Sequence, residues 1–215
     1  MAMTPLNRLL AVTLLFTTAC DDVKEQDHDH HDHNHGLTSG LILTFTPDGR
    51  GDTLSFGFSD PEGDGNPIVD DILLPDASNH DHHDTKTYTL DVEIWNELED
   101  PAEDVTPEIA DLASEHQLFF SGSAVEGPAT GNNRNAIIEH EYADSDADGL
   151  PLGLSNTITT LAWGAGELTV TLRHMPPENG EPVKIEGLAD DVASGGFSAI
   201  GGENDIQVTF NIEVE

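Results

Sequence analysis

The stretch from Asp205 to Val214 (DIQVTFNIEV) puts Ile206, Val208, Phe210, Ile212 and Val214 at every second position. Successive side chains of a strand point to opposite faces, so this run can bury its apolar set only as a β-strand lying on a core. Thr87 to Asn96 (TYTLDVEIWN) repeats the pattern, with Tyr88, Leu90, Val92 and Ile94 on one face and Thr89, Asp91 and Glu93 on the other. Leu41 to Thr46 and Thr53 to Phe58 flank a turn, PDGRGD, and read as a hairpin. Ile68 to Leu74, Gln117 to Ser121, Ala136 to Tyr142 and Val183 to Ile185 add short strands. Thr157 to Ala162 and Glu167 to His174 read as a pair around Trp163 to Gly166. One short helix is predicted from Pro107 to Ser114, with Thr106 as its cap, Pro107 at its first position and Ile109 and Leu112 on one face. Leu188 to Ala199 is interrupted by glycine and is assigned to neither class. The expectation is an all-β domain over residues 40–215. It would be an antiparallel β-sandwich of about eight or nine short strands, each burying one face against a second sheet.

Residues 1–19 follow a different rule. Arg8 supplies positive charge, Leu9 to Phe16 form a short apolar run, and Thr17-Thr18-Ala19 is a small-residue exit, which is the pattern of a signal peptide. The run falls well short of the about 20 apolar residues needed to span a bilayer. Cys20, the one cysteine of the chain, follows directly. LLFTTAC resembles a bacterial lipobox, although Thr17 stands where Leu is preferred, and it predicts lipidation at Cys20. The alternative is ordinary secretion with a free thiol. Acyl chains, at about 0.8 kcal/mol per buried methylene, would anchor the protein in a lipid bilayer. With one cysteine, no internal disulfide can hold the domain.

The formal charge is −35, and loss of Arg8 with the leader would make it −36. A surface of that sign repels nucleic acid and attracts cations, so nucleic-acid binding is excluded as an expectation. Residues 20–39 are poor in apolar side chains and read as a disordered tether spanning about 25 Å on average. Within the tether lie His28, His30, His31, His33 and His35, interleaved with Asp27, Asp29 and Asp32. A second tract, His80, His82 and His83 with Asp81 and Asp84, precedes the Thr87 strand. Imidazole and carboxylate donors suit zinc or another divalent transition metal, with modest, exchangeable affinity because a floppy chain must lose entropy to wrap the ion. Two other readings stay open: a merely polar tether, and a pH sensor built on clustered imidazoles.

Asp144, Asp146 and Asp148, followed by Gly149, match the start of a calcium loop, but Ser155 stands where an EF-hand would carry its closing Glu. A looser calcium loop and an acidic β-turn both fit. Asp60, Glu62 and Asp64 form a weaker version. Three further histidines are isolated in sequence. His116 ends the expected helix, His140 lies in a strand with Glu139 and Glu141 on the opposite face, and His174 ends another strand. A site joining any of them to Glu97 is a further candidate. The chain has no nucleophile elbow, zinc-protease helix, phosphate loop or dinucleotide fingerprint, so no catalytic residue is assigned and no enzyme is expected.

Four stretches carry a family likeness: TLSFGFSDPEGDG (53–65), LEDPAEDVTPEIADLASEHQLFF (98–120), LTVTLRHMPP (168–177) and ASGGFSAIGGENDIQVTF (193–210). They resemble a family of Bacteroidetes-type exported lipoproteins, sometimes labelled as a type 1 periplasmic-binding fold. The resemblance implies export and lipidation. That fold label implies an α/β architecture, which the strand pattern does not support. The resemblance implies no activity, and the metal reading rests on the His/Asp tracts of this sequence alone: the expected function is a lipoprotein of the cell envelope that captures, buffers or delivers zinc or a similar ion. The outer membrane is preferred to the inner, and an outer-membrane metal uptake receptor is the expected partner. The alternative is a non-catalytic adhesion or assembly module with calcium-stabilised loops.

Overall fold

The strictly alternating C-terminal run is the longest strand of a computed structural model that describes residues 38–75 and 85–215. Among these residues are twelve strands: β1 (Gly40–Pro47), β2 (Leu54–Ser59), β3 (Ile68–Val69), β4 (Ile72–Leu74), β5 (Thr87–Asn96), β6 (Glu103–Asp104), β7 (His116–Ser121), β8 (Val125–Glu126), β9 (Ile138–Tyr142), β10 (Ser155–Thr160), β11 (Gly164–His174) and β12 (Glu203–Val214). Two α-helices join them, α1 (Thr106–Asp111) and α2 (Leu188–Gly195), with 3₁₀ turns at Ala113–Glu115 and Phe197–Ala199.

The protein is mostly β, in two sheets. The larger has eight strands in the order β3-β2-β1-β5-β10-β9-β8, with β6 added to β5, and it curls as a half-barrel. The smaller runs β4-β12-β11-β7. Both contribute to one buried cluster, Leu41, Leu43, Phe45, Leu90, Val92 and Ile94 from the first and Leu118, Phe120, Leu168, Val170, Leu172, Val208 and Phe210 from the second. Phe210 is fully buried, and truncation to Ala would cost about 3–5 kcal/mol. The outer face of β7 is covered too. Phe119 points away from the shared core into a second cluster with Leu188 and Val192 of α2 and with Met175 and Ile200.

The structure departs from the sequence expectation in several places. Strands number twelve and α-helices two, because two-residue strands such as β6 and β8 are too short to leave a periodic signal and α2 is masked by its glycines. Two pairings are parallel, β12 with β4 and β8 with β9, so the sheets are not wholly antiparallel. Ile68 to Leu74 is not one strand. The chain leaves the larger sheet after β3 and enters the smaller at β4, crossing at Asp70-Asp71. The expected pair around Trp163 is likewise divided, since β10 joins the larger sheet and β11 the smaller. Val183 to Ile185 forms no strand. Thr106 does not cap α1; its hydroxyl oxygen accepts the Ile94 N–H at 2.8 Å and ties the helix start to β5. The hairpin of β1 and β2 forms as expected, with Phe45 opposite Leu54 and Leu41 opposite Phe58.

Candidate metal centre

Pairing of β7 with β11 sets His116 opposite His174 at the end of the smaller sheet. Counting by twos from the core residues Leu118 and Phe120, and from Leu172 and Val170, both histidines face the shared core. Their rings stack at 4.7 Å with planes only 6° apart. On the other side of β11 the register shifts. Leu172 pairs with Ile206 but Arg173 with Asn204, which makes Asp205 the extra residue of a β-bulge. In an unbroken strand Asp205 would face away from Ile206. The bulge re-aims it toward the histidines, and its Oδ2 lies 3.7 Å from His116 Nε2.

One ligand atom from each of His116, His174 and Asp205 falls within 4.8 Å of the others, and this group could hold a metal ion. His116 is fully buried, and although the side chains of His174 and Asp205 keep 21% and 20% of their surface, the atoms His116 Nε2, His174 Nε2 and Asp205 Oδ2 are all shut away from solvent. His116 Nδ1 lies 3.0 Å from the Leu112 carbonyl oxygen, which can only accept. Nδ1 therefore carries a proton, and in the neutral ring Nε2 offers the lone pair a metal needs.

The surroundings fix these three groups. Arg173 is largely buried and spreads its guanidinium over the chain that leads into the bulge: Nε donates to Gly201 O at 2.9 Å, Nη1 to Asn204 Oδ1 at 2.7 Å and Nη2 to Ile200 O at 3.3 Å. Burial lowers its pKa, with Glu203 opposing. Gly202 has φ of 80°, and a Cβ there would collide with the His174 carbonyl oxygen, so only glycine lets this chain pass so close to β11.

No family model matches this chain, and no curated protein or solved structure matches it either. No enzyme family or enzyme homologue is thus found for it. What the molecule can do rests on its own geometry.

Cys20 and the tract histidines His28, His30, His31, His33, His35, His80, His82 and His83 lie outside the described residues. Of the isolated histidines, the fold brings His116 and His174 together and leaves His140 apart. Their carboxylate is Asp205, not Glu97, which accepts a hydrogen bond from Ser59 Oγ at 2.7 Å beside β2. His140 is a core histidine. Its ring stacks on Phe120 at 4.3 Å, meets the edge of Tyr142, and its Nε2 bonds Asn156 Oδ1 at 2.9 Å. Burial pulls its pKa down to about 4, so it is neutral at pH 7.

The Asp144–Asp148 loop is built around a cation, but the cation is a side chain. Lys184 Nζ lies 2.8 Å from Asp146 Oδ2, and both side chains are shut away from solvent. Asp146 Oδ1 accepts the N–H groups of Asp148 and Leu150. Asp144 accepts those of Gly153, Leu154 and Ser155, while Asp148 is exposed. Burial opposes ionisation of Asp146, yet the bonds from Lys184, Leu150 and Asp148 outweigh it and hold that carboxyl below its ordinary range. For Lys184, burial prevails and lowers the pKa. In the weaker acidic loop, Asp60 and Asp64 accept the N–H groups of Gly65 and Asn66.

Sequence reasoning had no signal for Asp205. It opens an alternating strand whose period places it on the wrong face, and only the bulge reverses that.

Proposed function

We propose that this protein is an exported, lipid-anchored binder of a divalent transition metal, zinc in the first instance, held in its folded body by His116, His174 and Asp205. The observation that carries the reading is the convergence of two imidazole nitrogens and a carboxylate oxygen within 4.8 Å on one end of the smaller sheet. That donor set, without thiolate, suits zinc and its neighbours in the first transition row. The His/Asp tracts at 28–35 and 80–83 would collect ions, and the body site would hold one. Anchoring through Cys20 would place the protein in the outer membrane, where it passes the ion to an uptake receptor, in keeping with its resemblance to exported lipoproteins. The two sheets around a shared core are read as the layers of a β-sandwich that serves as the rigid frame for the site.

Metal analysis and zinc titration of the protein purified without an affinity tag test this directly. The expected result is bound metal. One tight equivalent should survive replacement of the eight tract histidines by asparagine and disappear when Asp205→Asn is added. A tract-free protein indifferent to zinc, nickel and copper would end the reading.

A further inference from the structure

Two of the three donors, His116 and His174, are brought together by regular strand pairing, and the third by an irregularity in β12. A second irregularity lies on the other side of the pair. The 3₁₀ turn Ala113–Glu115 runs directly into β7, with the Glu115 N–H donating to Leu112 O at 2.9 Å. The N–H of Met175, one residue past β11, donates to the Glu115 carbonyl at 2.6 Å. These two bonds pin the Glu115 backbone against the end of β11. Its side chain is thereby delivered to His174, with Oε2 3.7 Å from Nε2.

Resting on the metal reading above, we propose that Glu115 is a fourth ligand, which closes the site as a two-histidine, two-carboxylate centre. Asp205 Oδ2 stands 3.7 Å from one imidazole Nε2 and Glu115 Oε2 stands 3.7 Å from the other. The two carboxylates thus flank the stacked rings, each beside a different one. Glu115 stands outside the group of three donors that lie within 4.8 Å of one another, so it must swing inward and the near-parallel rings must turn to give, at about 2.0–2.2 Å per bond, the four-coordinate arrangement zinc prefers. Two carboxylates neutralise the charge of a divalent ion, so the filled site places no net charge at the edge of the core. The Glu115 side chain keeps 23% of its surface, whereas His116 is fully buried. Glu115 thus stands with His174 and Asp205, at 21% and 20%, on the partly exposed side of the group.

The test uses the full chain with its eight tract histidines replaced by asparagine, and cobalt(II) as a visible probe for zinc. Four-coordinate cobalt absorbs far more strongly in the visible range than six-coordinate cobalt. The expected result is an intense band in this background. With Glu115→Gln the band should fade and the affinity drop by at least the about 10-fold that loss of even an outer-shell partner costs, while the unfolding midpoint without metal stays unchanged. Glu115→Asp, which keeps the carboxylate, should recover part of the band. An unaltered band and affinity in Glu115→Gln, with binding still abolished by Asp205→Asn, would overturn the fourth ligand and leave the three-donor site standing. No band and no uptake in the background protein would overturn both.

Discussion

Two polar regions flank the N-terminal half of β7, and they solve the problem of buried charge differently. On one side, His140, Asn156, Gly153 and Asp144 form a chain of hydrogen bonds, and Asp146 beside it is met by Lys184. Every acidic oxygen drawn inside there has an N–H or an ammonium from the protein itself. On the other side, two imidazoles and a carboxylate converge without a lysine among them, and the nearest arginine spends its guanidinium on backbone carbonyls and Asn204. The first region carries its own cation. The second is a group that could hold one. The two are linked, since Lys184 Nζ also donates at 2.8 Å to the carbonyl of Ala113, in the turn that delivers Glu115 and His116.

The sharpest way to break this contrast is to remove the internal cation. Lys184→Met leaves Asp146 buried with no counter-charge, and the expected loss is about 3–5 kcal/mol, read from urea midpoints. A loss below about 1 kcal/mol would reduce the pair to the worth of an ordinary surface contact.

Acid probes the same region through His140. Its folded pKa, about 4, lies below the unfolded value of 6.5. Between those limits the unfolded chain binds a proton that the folded one refuses, so stability is fully present above pH 6.5 and falls as pH drops toward 4. The expected cost is about 3 kcal/mol at pH 4, and His140→Gln should flatten that part of the curve. An unchanged slope would mean that His140 accepts its proton inside the fold.

Metal sharpens the contrast from the other side. Zinc at 100 times its dissociation constant should raise the stability of the tract-free protein by about 2.7 kcal/mol. Asp205→Asn, at a partly exposed position, should remove that gain without lowering the metal-free midpoint much. Calcium is expected to do least. Asp144 and Asp146 already serve backbone N–H groups and Lys184, so excess calcium over chelator should leave the melting temperature where it was. A clear rise would show that the ion displaces Lys184.

The strands were largely legible, the strand partners only in part. Residues 206–214 and 88–94 announce their buried face by parity, and burial alternates accordingly. The division of Ile68 to Leu74 between two sheets was hidden, because a crossing at two aspartates looks like any polar step in a strand. His116, His140 and His174 stood out as histidines, but nothing local says that two meet and one does not. That depends on the register of β7 against β11, fixed by core residues Leu118, Phe120, Leu172 and Val170. Lys184 gave no hint of its role, lying 38 residues from its aspartate.

Taken alone, the sequence determined that this acidic, disulfide-free chain buries its apolar residues on strands, because a period of two admits no other packing. It also set which residue types are on hand as metal donors. The tertiary structure decided which of them meet. Asp205 reaches the histidines through a bulge, Glu115 approaches through a turn clamped by Met175, and Asp146 meets Lys184 only when distant segments close on one another. Convergence of side chains from separate strands is a property of register and backbone irregularity, and local pattern encodes neither.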